Sequence, residues 1–229
     1  YPLQPHEPNT MRYLKEAGYT VHWLGKNDCL APGAFESSVT KIYGTGDGRT
    51  GSSANVFAKG EPGYYSFLNG AMDGPPRDAL FYERAIEYLR SRKADDAPFF
   101  MFLPTSFPHP IYHAPEPWYS MYDPEDLPPL RPVVEQGKPD YHQLIRRYRD
   151  LDALDESVLR KIMAVYLGMT SYVDHLLGQL LDALEETGLM EETAVIAFSD
   201  HGDWAGDYGL VEKWPSGLDD TLTRVPLIV

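Results

Sequence analysis

The feature that most constrains the fold is an alternation of helix-like and strand-like segments along the chain. The strand-like segments are short and apolar, and one of them, residues 99–103, contains no polar side chain. The helix-like segments repeat apolar residues at the period of about 3.6 that characterises an α-helix. This alternation is typical of a parallel sheet that is covered by helices. The sequence therefore predicts an α/β fold with a mostly parallel, mixed sheet flanked by helices.

The individual elements follow from the same periodicities and from Gly and Pro stop signals. Helices are predicted over residues 8–17, 78–93 and 157–187, and strands over residues 19–24, 99–103, 193–198 and 225–229. Two stretches rich in turn-forming residues, 44–63 and 104–139, interrupt this pattern. We interpret them as long ordered loops of one domain, residues 1–229, and long loops within a domain are often functional.

The charge of the chain limits its partners. Lys and Arg number 20 and Asp and Glu number 34, which gives a formal net charge of −14 at pH 7. So acidic a chain does not bind nucleic acid or an anionic membrane by bulk charge. An anionic substrate would need local positive charge, from a metal ion or a few placed Lys, Arg and His side chains.

The same sequence bears on membrane insertion and compartment. No apolar run approaches the roughly 18 residues that cross a bilayer, and we expect neither a transmembrane helix nor a signal peptide in this chain. The single cysteine, Cys29, excludes an internal disulfide. The compartment and the oligomeric state stay undetermined at this stage.

Polar residues that follow the predicted strands are the candidates for chemistry, because ligands of α/β sheets bind beyond the carboxyl ends of the strands. Asp200 and His201 follow the strand at 193–198, and Gly202 permits a sharp turn after them. A carboxylate and an imidazole side by side are suitable donors for one divalent cation. The competing interpretation is a helix-capping Asp beside a surface His.

Three further side chains could contact an anion. Lys26 follows the strand at 19–24, and Lys213 lies in the loop after Asp200 and His201. Two ammonium groups beside a metal would stabilise a tetrahedral oxyanion, although a single Lys is usually a solvated surface residue. His109 lies between Pro108 and Pro110, and a stiff segment suits a general acid or an anion contact. Its alternative is a turn histidine without a role.

Three blocks of the sequence, in order, resemble the sulfatase family of the alkaline phosphatase superfamily. They are residues 16–26, with EAGY and GK; residues 98–115, with PFF, PHP and YHAP; and residues 199–228, with SDHGD, GDYGL, Lys213 and TRVPLI. The SDHG motif alone would be weakly specific, but the ordered set covers almost the whole chain. The resemblance implies an alkaline-phosphatase-like core and a sulfuric ester hydrolase.

The resemblance also implies roles for individual residues. Asp200 and His201 match two ligands of a divalent metal, most often calcium, although a His ligand is compatible with manganese or zinc. Lys213 matches the lysine that binds the sulfate and the ester oxygen. Lys26 matches a lysine that contacts the sulfate and the nucleophile. His109 matches a histidine that contacts the sulfate or assists the leaving group.

Two departures from the family pattern matter. The histidine that the family has two residues after the first lysine is Asp28 here, which either transfers a proton or contacts the substrate. The C/S-x-P-x-R motif, whose Cys or Ser becomes a formylglycine nucleophile, is not found around Cys29 or elsewhere, and the paired aspartates that complete the metal site are also missing. We therefore expect the middle portion of a longer sulfatase, incomplete at both ends, that binds a cation weakly and is inactive alone. In the full-length parent, a metal-activated formylglycine hydrate would attack sulfur.

Two alternative functions remain open at this stage. A phosphonate or phosphate ester hydrolase of the same superfamily would share the Asp-His pair and the lysine, and the change to Asp28 keeps this alternative. A non-catalytic sulfatase-like binding module would retain the fold without the nucleophile.

The substrate predicted by the resemblance is a small-molecule or carbohydrate sulfate ester. Aromatic residues in or near the predicted site loops could stack on a sugar or aryl group, or could simply pack. These residues are Trp118, Tyr119, Tyr122, Trp204 and Trp214.

Overall fold

The computed structural model describes residues 2–45, 53–134, 136–214 and 217–229. The chain divides into two compact units, which are described separately. The first unit comprises Tyr1–Thr50, Pro75–Phe107 and His175–Thr193, and the second comprises Gly51–Gly74, Pro108–Asp174 and Ala194–Val229. Part of the loop predicted over residues 44–63, namely 46–52, lies outside the described residues. That the chain forms one domain stays a prediction.

The first unit is built on a parallel sheet, as the sequence predicts. Its elements in chain order are α1 (Thr10–Glu16), β1 (Thr20–Leu24), α2 (Phe35–Ser38), β2 (Lys41–Gly44), α3 (Arg77–Ser91) and β3 (Phe99–Phe102). The strand order is β2-β1-β3, and both neighbours run parallel to β1. The carboxyl ends of β1 and β3 therefore lie at the same edge of the sheet, where Lys26 follows β1.

The core of the first unit surrounds the central strand β1. Trp23 is fully buried, and the rings of Phe35 and Phe102 meet it edge-on at centroid distances of 5.1 and 5.0 Å. Met11 of α1 packs in the same cluster. At the start of α1, the Asn9 side chain accepts a hydrogen bond from the Arg12 backbone N–H and caps the helix.

The second unit contains α4 (Tyr141–Tyr148), β4 (Ala197–Phe198), α6 (Asp220–Thr223) and β5 (Leu227–Ile228). β4 and β5 pair antiparallel, so the chain contains both kinds of strand pairing, as expected of a mixed fold. Ile145, Trp204, Leu210 and Leu222 form a buried cluster. The long helix α5 (Glu156–Glu186) contributes residues 156–174 to the second unit and 175–186 to the first.

Some elements differ from the sequence-based predictions. The strand predicted as buried over residues 193–198 has only two residues, and Phe198 is 62% exposed. An apolar run is buried on both faces only where neighbouring elements cover it, and the described partner of β4 is the equally exposed β5. β3, also predicted as buried, is half-buried along its length.

Helix α5 is the longest helix of the described chain, at 31 residues. Among the residues that the structure describes, however, none of the helices combines the length and the apolar character that crossing a lipid bilayer requires.

Candidate active site

The end of β1 positions Lys26 through a close approach of two backbones. The backbone N–H of Lys26 donates to the Pro104 carbonyl oxygen at 3.0 Å. Gly25 has a φ of +146°, and a Cβ at this position would overlap the same carbonyl group. Only glycine allows both this backbone angle and this close contact. Gly25 is therefore required for the chain to place Lys26 directly after the end of β1.

Lys26 and Asp28 form an ion pair in the first unit. The Lys26 Nζ lies 2.7 Å from the Asp28 Oδ2. Asn27 fixes the turn between them, because its Oδ1 accepts from the backbone N–H groups of Cys29 and Leu30. Lys26 is half-buried, whereas the Asp28 side chain is 74% exposed. The residue that departs from the sulfatase pattern is thus the counter-ion of the first lysine.

In the second unit, two histidines from distant parts of the sequence lie together. The ring centroids of His109 and His201 are 5.9 Å apart in an edge-on arrangement. Each Nδ1 lies 2.8 Å from a backbone carbonyl oxygen, that of Pro110 for His109 and that of Gly202 for His201. Since a carbonyl only accepts, each Nδ1 carries the proton, and in a neutral ring the Nε2 is left with a lone pair.

Asp200 provides a second donor beside His201. Its Oδ1 lies 3.7 Å from the His201 Nε2, and its side chain is 84% exposed. Carboxylate oxygen and imidazole nitrogen are both donors for divalent cations, so this pair fits two positions of a metal site. Within the described ranges, no cluster of three or more His, Cys, Asp or Glu side chains completes such a site. The fit is therefore partial.

Gly202 is a point of close backbone approach, whereas the sharp turn that the sequence predicts directly after His201 lies further on, at Ala205 and Gly206. The Gly202 N–H donates to the Leu222 carbonyl at 2.8 Å, and a Cβ at Gly202 would overlap the carbonyl oxygen of Thr221. The Ser199 hydroxyl donates to the His201 carbonyl at 2.6 Å. The hydrogen bonds of Ser199 and Gly202 thus fix the backbone on both sides of Asp200 and His201.

Lys213 follows a carboxylate that contacts His109. Glu212 Oε1 lies 3.9 Å from the His109 Nε2, and Glu212 Oε2 accepts a hydrogen bond of 2.9 Å from Arg149 Nη2. Lys213 itself is half-buried. The loop that carries Lys213 is thus connected to the His109 segment through the residue that precedes the lysine.

A buried tyrosine and a second carboxylate support this loop. The Tyr112 hydroxyl donates to Asp203 Oδ1 at 2.7 Å and accepts from the Glu212 backbone N–H at 2.7 Å. Burial raises the pKa of Asp203 to about 6, against the opposing hydrogen bond from Tyr112. Burial also raises the pKa of Glu212, but hydrogen bonds from Arg149 and the Trp214 N–H outweigh it, so the pKa of Glu212 is lowered overall. Glu212 is accordingly an ionised carboxylate at neutral pH.

The structure therefore brings together part of the predicted set. His109, Asp200 and His201 meet in the second unit, and Lys213 follows Glu212, which contacts His109. Lys26 and Asp28 form their own pair in the first unit.

Four supporting residues were not predicted from the sequence. Asp203 and Glu212 lie inside the blocks that resemble the family, which offered a signal for both. Nothing in the sequence distinguishes Arg149 from other helix-end arginines. Tyr112 was noted only as part of the YHAP segment.

The aromatic candidates divide into packing residues and exposed residues. Trp204 is fully buried in the core of the second unit, and Trp118 packs edge-on against Tyr172 at 4.6 Å. Trp214 is 52% exposed, and its ring lies 6.1 Å from that of Tyr148, which is 75% exposed. Of this group, Trp214 with its neighbour Tyr148 best fits a ligand-contacting role.

Comparisons of the sequence with known proteins agree on one family. The Sulfatase family model matches residues 2–229. The multifunctional alkaline phosphatase superfamily protein PehA of Trinickia caryophylli is 34% identical over 70% of this chain and 35% of its own length. The choline-sulfatase of Rhizobium meliloti (strain 1021) is 27% identical over 97% of this chain and 47% of its own length. Human iduronate 2-sulfatase is 32% identical over 68% of this chain and 30% of its own length. The chain thus spans about a third to a half of these relatives.

Solved structures agree on the fold. The phosphonate monoester hydrolase of Agrobacterium radiobacter matches with a TM-score of 0.67 at 21% identity, over 99% of this chain and 53% of that one. A protein solved with its substrate D-glucosamine-2-N,6-O-disulfate matches with a TM-score of 0.60 at 16% identity, over 98% of this chain and 55% of that one. These likenesses confirm the predicted alkaline-phosphatase-like α/β fold.

Proposed function

Because this chain belongs to the sulfatase family, we propose that the full-length protein hydrolyses sulfuric esters and that this chain supplies part of its active site. The observation that carries the proposal is the meeting of His109 with His201, whose rings are 5.9 Å apart although 92 positions separate them in sequence. Two of the blocks that resemble sulfatases are thereby adjacent in space. The Lys213 loop is connected to the same place through Glu212.

The proposed reaction breaks the sulfur–oxygen bond to the alcohol and transfers the sulfuryl group ultimately to water. Lys213 and Lys26 neutralise the sulfate oxygens, whose charge is redistributed in the transition state. In its doubly protonated form, His109 contacts the sulfate through its Nε2–H or donates that proton to the departing alcohol oxygen. Because Asp28 already pairs with Lys26, it reduces the positive charge that Lys26 presents to an anion.

Sulfatases generally use a divalent metal, and Asp200 with His201 would hold it here. Calcium agrees best with the family resemblance, whereas manganese or zinc would also accept the His201 nitrogen. When bound, the cation would supply positive charge to the sulfate. Calcium takes about 6–8 ligands, so further donors from outside the described residues are part of the proposal.

The proposed substrate is a sulfate ester of a small ring-bearing alcohol, with a carbohydrate sulfate preferred. The exposed pair Tyr148 and Trp214 supports this preference, because Trp214 directly follows Lys213 and an aromatic face stacks on sugar or aryl rings. The net charge of −14 argues against a polyanionic nucleic acid as substrate.

The full-length protein tests the proposal in a parallel assay. An aryl sulfate and a set of monosaccharide sulfates are compared with an aryl phosphonate monoester and an aryl phosphodiester under identical conditions. We expect the largest kcat/KM of this panel for one of the sulfate esters. A phosphonate monoester or phosphodiester that exceeds every sulfate ester would replace it with the second candidate function.

That second candidate, a phosphonate or phosphate ester hydrolase, is supported by a specific difference at the end of β1. Asp28 stands where sulfatases have a histidine, and this carboxylate pairs with Lys26. Phosphonate monoester hydrolases are also among the structures with the same fold. The remaining candidate, a non-catalytic binding module, would bind inorganic sulfate without turning over any ester of the panel.

A further inference from the structure

A buried ion pair lies directly beside the lysine loop. Arg149 and Glu212 are 6% and 9% exposed, and Arg149 Nη2 donates to Glu212 Oε2 at 2.9 Å. Arg149 Nη1 also donates to the Val211 carbonyl at 3.0 Å. The planar guanidinium thus binds the backbone and the side chain of two successive residues at once, as its forked geometry allows.

The backbone at Glu212 is strained. Its φ is +62°, in the left-handed region that is unfavourable for a residue with a Cβ. Such a conformation persists where its surroundings hold it, and such residues cluster at functional sites. Here the Glu212 N–H donates to the Tyr112 hydroxyl, the Trp214 N–H donates to Glu212 Oε2, and Arg149 binds the same oxygen.

The strain and the ion pair have a common consequence. A left-handed residue turns the chain sharply, and the residue that follows this turn is Lys213. The second carboxylate oxygen, Oε1, lies 3.9 Å from His109 Nε2. One carboxylate therefore has Arg149 on one oxygen and His109 near the other, and its backbone determines where Lys213 begins.

We propose that Arg149 and Glu212 act as a positioning pair that orients Lys213 and His109 toward the sulfate. The inference rests on the proposed function of Lys213 and His109. Neither Arg149 nor Glu212 touches the substrate in this proposal; Arg149 acts through Glu212, and Glu212 acts through His109 and the turn before Lys213. Burying two charges costs free energy that a well-packed apolar pair would not cost, so stability alone is a weak explanation for the pair.

The test uses four variants of the full-length protein. Arg149→Met removes the cation, and Arg149→Lys retains a charge without the fork. Glu212→Gln removes the negative charge with little change of shape, whereas Glu212→Gly removes the carboxylate and relieves the backbone strain. The matched control is Arg146→Met, because Arg146 is also 6% exposed, lies on the adjacent α4 and pairs with Asp152, a residue outside the site.

Two quantities are measured for each variant below its melting temperature: kcat/KM for the best sulfate ester and the Kd of inorganic sulfate. A misplacement of reacting groups costs about 10²-fold, so we expect about a 100-fold loss of kcat/KM and about tenfold weaker sulfate binding in Arg149→Met and Glu212→Gln. Arg149→Lys should recover part of the loss, and Glu212→Gly should not. The kcat/KM of the double variant Arg149→Met/Glu212→Gln should be no lower than that of the less active single variant, because the effects of residues that act as one unit are non-additive.

Two results would overturn the proposal. Full activity in Glu212→Gly would mean that the carboxylate of Glu212 is not needed to position Lys213 or His109. A loss of kcat/KM in the Arg146→Met control equal to that in Arg149→Met would mean that the loss comes from general destabilisation. A wild-type protein that turns over no ester of the panel contradicts the proposed function instead. In that case the pair is judged on sulfate binding, and it fails if wild type and Arg149→Met bind sulfate equally or if neither binds it.

Discussion

Individual cations decide how a chain with a net charge of −14 could contribute to binding the anionic ester proposed as substrate. Lys26 pairs with Asp28 in the first unit, and Arg149 pairs with Glu212 in the second, so each of these cations is already balanced. Lys213 continues directly from this balanced pair. Because desolvated charges interact far more strongly than exposed ones, a half-buried lysine here can outweigh many distant surface carboxylates.

Replacing Lys213 with alanine should reduce kcat/KM of the full-length protein for its sulfate ester by about 10²–10³-fold, the range for loss of one group that stabilises an oxyanion. Steady-state kinetics with the best ester of the panel measure the change. Lys59→Ala, which removes an exposed lysine of the same unit, should leave the rate within about twofold. A Lys213→Ala enzyme with near-wild-type kinetics would contradict the proposed role.

Asp28→Asn distinguishes a counter-ion role, which the ion pair with Lys26 indicates, from the proton transfer that the sequence left open beside a substrate contact. The Asp28 side chain is mostly exposed, and an exposed ion pair is worth about 0–1 kcal/mol. If Asp28 only balances Lys26, the substitution should change kcat/KM by less than about fivefold. A loss of kcat of about 100-fold would instead assign Asp28 to proton transfer. Asp73→Asn, which removes an exposed carboxylate elsewhere, is the control.

At the scale of elements, hydrophobic periodicity predicted the two long helices whose apolar residues are buried. Helix α3 was expected over residues 78–93 and spans Arg77–Ser91, and α5 was expected over 157–187 and spans Glu156–Glu186. Helix α4 was missed although Tyr141, Leu144, Ile145 and Tyr148 follow the helical spacing. It is only 8 residues long, which is shorter than the window of about 11 residues over which periodicity is recognised. Two of the three residues that it buries, His142 and Arg146, are polar and add nothing to the apolar signal.

The missed strand β2 (Lys41–Gly44) has a related cause. It is a four-residue strand at the edge of the sheet, and its first two residues are exposed. So short a segment beside a Gly-rich stretch carries too few residues for an alternation to be recognised. Its pairing with β1 comes from the backbone and not from a hydrophobic pattern.

Helix α5 offers a comparison of two glycines on one element. A Cβ at Gly168 would overlap the backbone carbonyl of Trp118, whereas a Cβ at Gly178 would meet open space. We expect Gly168→Ala to lower the free energy of unfolding by about 1–3 kcal/mol through overpacking. Gly178→Ala should raise it by up to about 1 kcal/mol, because alanine favours helix. Urea unfolding followed by circular dichroism measures both, and a destabilisation of equal size in the two variants would contradict the close packing at Gly168.

Strand β1 carries a buried histidine that should make the first unit sensitive to acid. Burial, together with the positive charges of Lys41 and Arg92, lowers the pKa of His22 to about 4. The unfolded chain therefore binds a proton below about pH 6.5 that the folded chain refuses until about pH 4. Stability is fully present above pH 6.5 and declines as the pH falls through this interval, by on the order of 3 kcal/mol.

His22→Phe tests this acid sensitivity. The ring fills the same space beside Tyr43 and Tyr88, and it cannot be protonated. The difference in free energy of unfolding between pH 7 and pH 4.5 should shrink by on the order of 2–3 kcal/mol relative to wild type. His6→Phe, which replaces an exposed histidine, should leave the difference unchanged. An identical pH dependence in wild type and His22→Phe would refute the assignment.

At the scale of the whole molecule, motif order predicted that the blocks carrying His109 and His201 belong to one site, but not what holds these two residues. The meeting of His109 with His201 follows from two sequence blocks. The support from Arg149, Tyr112 and Asp203 depends on burial of polar groups, and burial is a property of the folded chain that residue type does not reveal. The structure thus adds the supporting residues and their hydrogen bonds to a set of candidate residues that the sequence had already named.

Metal dependence is the prediction that involves the whole protein. Asp200 and His201 are the two proposed donors, and the described parts of the chain supply no cluster of three. Residues 1–229 alone should therefore bind Ca²⁺ with a Kd in the millimolar range or weaker, as sites with few ligands do. The full-length protein should bind it more tightly, and titration calorimetry of the two proteins measures this difference.

Removal of the metal tests the same site through activity. Dialysis of the full-length protein against a chelator should abolish sulfate ester hydrolysis, and Ca²⁺ should restore it better than Mn²⁺ or Zn²⁺. Asp200→Asn should raise the Ca²⁺ concentration needed for half-maximal restoration by about tenfold or more, because a charged ligand is lost. Asp182→Asn on α5 is the matched control. Full activity after chelation, or better restoration by zinc, would contradict calcium at Asp200 and His201 and would favour a soft-metal or metal-independent site, since imidazole suits zinc.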